Sequence, residues 1–305
     1  MARQVHGCML LLLSLVACPL LGQELATDRE VSIHKLRLNK EEMKRWVEYY
    51  QAEAAEYDIV LGESSDVEPS AKLKLRREPV FRWAAPHVNN EFNGSVFVWT
   101  LNGRPEAIGS IWSKSEVEIP GKRTICHSFH SLALGPLHAN RNDKTSWHPL
   151  RAGIAPKLIP GAALPAASPR LRLTQMRTLA RDFTVSQFVG RVETKRQMLR
   201  LLPQPIFRYE AETDDSLDGG IFVFLRDWDP EILLLVEIRE TPAGWRWHYA
   251  PIRFCSSDAL VKHKDKEVWA FEKGSPTRDP QHYYFTAKGA SYVDRYFGVK
   301  DKEQP

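Results

Sequence analysis

The chain carries one pattern twice, and this restricts its fold more than its composition does. Glu78-Pro79-Val80-Phe81-Arg82-Trp83 returns as Gln204-Pro205-Ile206-Phe207-Arg208-Tyr209. Asn93-Gly94-Ser95-Val96-Phe97-Val98-Trp99 returns as Asp218-Gly219-Gly220-Ile221-Phe222-Val223-Phe224, and that match runs without a gap to Pro105-Glu106 and Pro230-Glu231. Further on, Asn142-Asp143-Lys144-Thr145-Ser146-Trp147 echoes Lys264-Asp265-Lys266-Glu267-Val268-Trp269. The order is collinear, and most of the substitutions exchange like for like, such as Val for Ile or Trp for Phe. A repeat of this kind speaks to architecture and leaves activity open.

Each half opens with a predicted helix. Asn39 is a candidate N-cap with Glu42 three residues on, and Met43, Trp46, Val47, Tyr50, Ala54 and Tyr57 fall on one helical face. In the second half Ser168 caps a turn that begins with Pro169, and Leu173, Met176, Ala180 and Phe183 form the stripe, with Arg170, Arg177 and Arg181 on the solvated side. Strands follow. Ser95–Leu101 and Gly220–Leu225 are apolar at successive positions, the mark of strands covered on both faces. Asn102-Gly103 reads as a hairpin turn, and Asp227-Trp228-Asp229-Pro230 stands in its place in the second half. Short turns between successive strands favour an antiparallel meander. The expected class is α+β: two tandem copies of a helix plus a sheet of roughly five antiparallel strands, joined as one pseudo-twofold unit or standing apart. The boundaries are a first repeat at 28–148, a Pro-rich surface linker at 149–168, a second repeat at 169–297 and a tail at 298–305.

Residues 1–22 read as a secretory signal peptide. Arg3 supplies the positive start, and the apolar run from Met9 to Val16 is far short of the roughly 20 residues that span a bilayer. Leu15-Val16-Ala17-Cys18 has the form of a lipobox, which would place a lipid anchor on Cys18; cleavage after Gly22 instead releases a soluble chain starting at Gln23. Both routes lead out of the cytoplasm, to the periplasm or the exterior, with no transmembrane segment. The formal net charge of +4 comes from Lys and Arg scattered among acids. Such scatter gives no polybasic stripe, so nucleic acid is not an expected partner. After soluble cleavage Cys126 and Cys255 remain, either as free thiols or as a bridge between the halves.

Phe81-Arg82-Trp83, Gly94-Ser95-Val96-Phe97-Val98-Trp99-Thr100, Gly103-Arg104-Pro105-Glu106, Phe129-His130-Ser131-Leu132-Ala133, the Pro-rich linker and Trp247-His248-Tyr249-Ala250 together resemble a group of uncharacterised exported proteins common in Planctomycetes. The resemblance runs along most of the mature chain. It implies export and a bacterial origin, and it brings no catalytic residue or ligand with it.

Strong catalytic signatures are missing from the sequence: there is no Gly-x-Ser-x-Gly elbow, His-Glu-x-x-His helix, Walker loop or dinucleotide fingerprint. In Cys126-His127-Ser128-Phe129-His130 the two histidines would point to opposite faces of a strand. Cys126 and His130 would share a face but stand roughly 13 Å apart. A zinc ion held at about 2.0–2.3 Å would need other ligands, such as His138 or His148. No metal and no cofactor is therefore expected. His130 and His248 each follow an aromatic residue and Glu106 and Glu231 each follow a proline, which makes these four the candidate acid/base groups. Paired carboxylates must approach within about 5–9.5 Å for glycosidase-type work, whereas Arg82 and Arg208 offer the glutamates a plain cross-strand contact. Trp228, Trp245 and Trp247 cluster near two turns and are the candidate binding surface. The expectation is a non-enzymatic exported protein that binds a ligand or an envelope partner. The alternatives are an extracytoplasmic hydrolase with its site between the repeats, and a structural envelope component. A hydrolase calls for a His and a carboxylate converging in a cleft, and a binder for a concave aromatic pocket without that convergence.

Overall fold

A computed structural model describes residues 40–62, 71–86, 91–116, 122–141, 145–188, 196–213, 216–274 and 278–293. All belong to one compact unit, Leu38–Pro305. The expected signal peptide at 1–22, Cys18, the Asn39 cap and the tail at 298–305 lie outside the described residues.

Helix α1 (Lys40–Ala55) buries Trp46, Val47, Tyr50 and Ala54 along the face that the periodicity marks. Helix α2 (Pro169–Arg181) begins where Ser168 accepts a hydrogen bond from the Leu171 amide, with Pro169 in its first turn. It buries Met176 and Ala180, and also Arg172. The strands of the first half are β1 (Tyr57–Leu61), β2 (Lys74–Leu75), β3 (Phe81–Pro86), β4 (Glu91–Leu101), β5 (Arg104–Ser115), β6 (Lys122–Ser131), β7 (Leu137–Arg141) and β8 (Thr145–Trp147). β9 (Lys157–Leu158) lies in the Pro-rich segment. After α2 come β10 (Phe183–Phe188), β11 (Arg196–Met198), β12 (Arg200–Leu201), β13 (Phe207–Thr213), β14 (Ser216–Arg226), β15 (Asp229–Arg239), β16 (Arg246–Arg253), β17 (Ala259–His263), β18 (Lys266–Phe271) and β19 (Tyr284–Val293).

These strands form four antiparallel sheets. Two are large: β19-β6-β5-β4-β2 with β3 also on β4, and β12-β14-β15-β16-β9 with β13 also on β14. Two are small: β1-β7-β8 and β11-β10-β17-β18. The large sheets face each other across one core, in which Val96, Val98 and Ile108 meet Ile221, Val223, Leu233 and Leu235. Alternate residues of the same strands point outward. Phe97 and Trp99 pack with α1 and the first small sheet, and Phe222 and Phe224 with α2 and the second. The doubly apolar strands are thus covered on both sides. The hairpin turn after β4 has Asn102 at φ 48° and Gly103 at φ 81°, and the turn after β14 has Asp227 at φ 55°. Conformations of this left-handed kind are those Asn, Asp and Gly tolerate.

The α+β expectation is corrected. The described residues are 55% strand and 14% helix, and each half does not reduce to a helix plus one sheet of about five strands. The physical reason is coverage. Each large sheet is five strands wide, roughly 19 Å at 4.8 Å per strand, while a helix is about 10–12 Å wide. One helix leaves part of the outer face bare, and a small sheet covers the rest. Two further strands come from segments without a strand pattern: β9 joins the edge of β16, and β19 joins the edge of β6. The Pro-rich segment is therefore more than a surface linker.

Candidate functional site

Side chains on a strand alternate, so β5 and β15 each present one row to the opposing large sheet. From β5 this row is Ile108, Ser110 and Trp112, and from β15 it is Leu233, Leu235 and Glu237. Near the start of each strand sits a bulge. Trp99 pairs with Ala107 and Thr100 with Pro105, which leaves Glu106 as the extra residue. Phe224 pairs with Ile232 and Leu225 with Pro230, which leaves Glu231 extra. Bulges re-aim a side chain, and here they set two glutamates, matched in the sequence echo, at the rims of the central core.

One rim is closed by charge pairing. Arg104 donates from Nη1 to Glu106 Oε1 at 2.8 Å and from Nε to Glu237 Oε2 at 3.1 Å, linking the two large sheets. Glu237 also accepts from Tyr209 Oη at 2.8 Å and from Arg239 Nη1 at 3.1 Å. Burial alone would raise the Glu237 pKa, but Arg104, Tyr209 and Arg239 hold it below the usual carboxylate range.

The other rim is open. Between Trp112 and the start of β15 lies a cavity of about 360 Å³. Its floor is a row of hydroxyls across three strands, Ser110 beside Ser128 beside Thr286. Two indoles pin this row: Trp83 Nε1 donates to Ser110 at 3.2 Å and Trp112 Nε1 to Ser128 at 3.1 Å. Trp83, Phe92 and Trp112 form an aromatic wall, with Trp112 centred 6.4 Å from Trp83 and 6.0 Å from Phe92. Gly94 is where this wall needs a missing side chain, since a Cβ there would stand 2.6 Å from Trp112 Cβ and 2.8 Å from the Trp83 ring. Facing the wall are Arg226, Asp229, Glu231 and Cys255. Glu231 is buried, ion-paired with Arg226, and accepts from Gln187 Nε2 at 3.2 Å. Burial, and then the neighbouring Glu231, push the Asp229 carboxyl up to about 8, and Arg226 only partly opposes them. Burial likewise pushes the Cys255 thiol well up, with Glu231 adding to it.

The structure brings Glu231 to this cavity and places the other candidates elsewhere. Glu106 is held by Arg104 at the far rim. Its partner is not Arg82, which reaches the exposed Glu78 instead, while Arg208 binds Asp218. His130 and His248 do not hold matching places. His130 stands opposite Ile108 on β5, whereas His248 stands opposite Glu237 on β15, the place that Cys126 takes opposite Trp112. His130 is buried with Nδ1–H donating to the Ser131 carbonyl, and burial lowers its pKa to about 3. The three tryptophans are also separated. Trp228 is exposed at the tip of the β14–β15 hairpin, with Arg200 over its ring. Trp245 sits at the other end of β15, about 30 Å away by strand rise, and Trp247 is buried in the core beneath α2. No disulfide joins Cys126 and Cys255. Among the described residues no group of three metal-ligating side chains is found, and no helix is long and apolar enough to cross a membrane.

Asp229, Arg226, Trp83 and Trp112 were missed as site residues. One signal was legible: Arg104-Pro105-Glu106 echoes Asp229-Pro230-Glu231, a charge reversal at one matched position. Comparison with known proteins found no matching family model, no similar curated protein and no similar solved structure.

Proposed function

We propose that this protein is a non-enzymatic binder of a small ligand, held in the cavity at the open rim of the two large sheets. The observation that carries this reading is the cavity's composition: an aromatic wall, a hydroxyl floor and a few charged groups within about 360 Å³. Ligand sites are typically concave, mostly apolar and about 300–1,000 Å³, with a small number of placed polar groups. No histidine is among the described residues that line it. The N-terminal pattern supports export, to the periplasm or beyond, as the setting in which the ligand is met.

A hydrolase at the same cavity is the second reading. It is favoured by one observation: Asp229 shares the cavity with a second carboxyl, Glu231, and burial with that neighbour pushes Asp229 up to about 8, as a general acid near neutral pH requires.

Thermal unfolding of the chain from Gln23 against a panel of small amines, sugars and aromatic acids tests the proposal. A ligand of the folded state raises the midpoint. The expected result is a hit that is lost in Ser110→Phe, which fills the cavity, and weakened in Trp112→Ala, which removes its wall. Hits that survive both substitutions, or no hit at all, would count against it. Turnover of a hit compound that disappears in Asp229→Asn would move the second reading ahead.

A further inference from the structure

The described buried carboxylates follow a rule. Glu91 has Arg123, Asp218 has Arg172 and Arg208, Glu237 has Arg104 and Arg239, and Asp258 has Arg196. A buried charge is costly unless paired, so this matching is what a stable interior requires. The cavity differs, and Asp229 there is half-buried where Glu231 is buried. Asp229 and Glu231 lie side by side with one guanidinium between them, and Arg226 is committed to Glu231. Among the described residues the Asp229 carboxyl makes no hydrogen bond or ion pair. Of the two carboxyls among the described lining residues, Asp229 is the one without a guanidinium of its own.

The facing wall has the complementary property. The faces of Trp83, Phe92 and Trp112 carry the negative side of the aromatic quadrupole and attract cations, most strongly when water is excluded. Elsewhere in the molecule such faces are already used: Arg123 lies over Trp46 and Arg253 over Phe271. At the cavity itself Arg253 lies over the ring of Tyr284, and no described cation lies over the indoles of Trp83 and Trp112.

Building on the binding role proposed above, we infer that the ligand is an organic cation whose ammonium group sits between Asp229 and the aromatic wall. The ammonium pairs with the Asp229 carboxylate, and its alkyl groups meet the rings. The hydroxyl floor would take hydrogen-bonding groups on the rest of the ligand.

A pH dependence follows. The titratable and charged groups at the cavity are Arg226 from β14, Asp229 and Glu231 from β15, Cys255 after β16 and Tyr284 from β19, with Arg253 of β16 packed against Cys255 and Tyr284; the described lining residues of β3, β4, β5 and β6 carry no charge. Cys255 is pushed well up and Tyr284 to about 12, chiefly by burial, so both stay neutral near pH 7. Asp229 is the group that changes, and near pH 7 it holds its proton in the empty site. A cation must displace that proton. Affinity therefore rises with pH up to about 8 and levels above it, about 75-fold between pH 6 and pH 8.5 by linkage.

Isothermal titration of the chain from Gln23 with tetramethylammonium and choline tests this. 3,3-Dimethylbutan-1-ol serves as the neutral isostere of choline, and glucose as a neutral hydroxylated control. The expected results are binding of the cations, at least tenfold weaker binding of the isostere, and release of close to one proton at pH 7, read from buffers of different ionisation heat. Asp229→Asn, checked for unchanged thermal stability, should abolish the proton release and the pH dependence. Failure of both cations to bind, or equal binding of the isostere, overturns the cation inference. If neutral compounds of the thermal panel still bind in the cavity, small-ligand binding survives that result; if the panel is silent as well, both fall.

Discussion

Glu237 has no exposed surface, yet it stays ionised because Arg104 reaches it from the opposing large sheet. Removing one partner of a buried pair strands the other as an uncompensated charge, which costs about 3–5 kcal/mol. Arg104→Met should therefore destabilise the protein by about 3 kcal/mol in urea unfolding, near the low end because Arg239 and Tyr209 remain; a loss below about 1 kcal/mol would show that the link is dispensable. His130 gives a second test at this scale. Its folded pKa is near 3 against an ordinary 6.5. The unfolded chain therefore takes up the proton first, and the stability tied to neutral His130 falls as the pH drops from 6.5 toward 3. His130→Gln should lose about 3 kcal/mol less than the native chain between pH 7 and pH 4. Equal losses would contradict the buried neutral ring. Single residues were legible where local chemistry decides them, as with Glu231 beside its proline. Asp229 and Arg104 were not, because the role of each depends on a strand from the other half of the chain.

Elements were legible where the chain carries its own instruction. The stripe of α1 and the Ser168-Pro169 start of α2 are local signals, and both helices form where they point. Ser168→Ala removes the hydroxyl that accepts from Leu171. It should cost about 1 kcal/mol, the usual value of an N-cap, measured by chemical denaturation; Ser168→Asp should keep most of the stability. No loss in the alanine variant would mean that burial of Met176 and Ala180 alone fixes the helix start. The hairpin at Asn102-Gly103 was legible for the same local reason. By contrast, β9 is two half-extended residues among prolines, and it is a strand only because the edge of β16 lies beside it. β19 likewise exists through its pairing with β6. Edge pairing is a tertiary event with no sequence period of its own, so neither strand could be read locally.

For the whole molecule, the successive apolar residues of β4 and β14 foretold strands covered on both faces, and the layers bear this out. The composition of those layers was not legible. Nothing in Tyr57–Leu61 or Ala259–His263 tells whether a strand extends the large sheet or turns over to build a small one, because an alternating pattern suits either. The cavity belongs to this scale too, since its wall and floor come from one large sheet and most of its charges from the other. The most direct test of it as the ligand site uses the nine tryptophans as reporters. In ¹H–¹⁵N spectra of the indole groups, a ligand from the thermal panel should shift Trp83 and Trp112, whose Nε1–H groups donate to the cavity floor, and leave buried Trp147 and Trp247 and exposed Trp228 in place. Shifts confined to Trp228 or Trp245, with Trp83 and Trp112 unmoved at saturation, would contradict the account and put the binding surface on the hairpin tips.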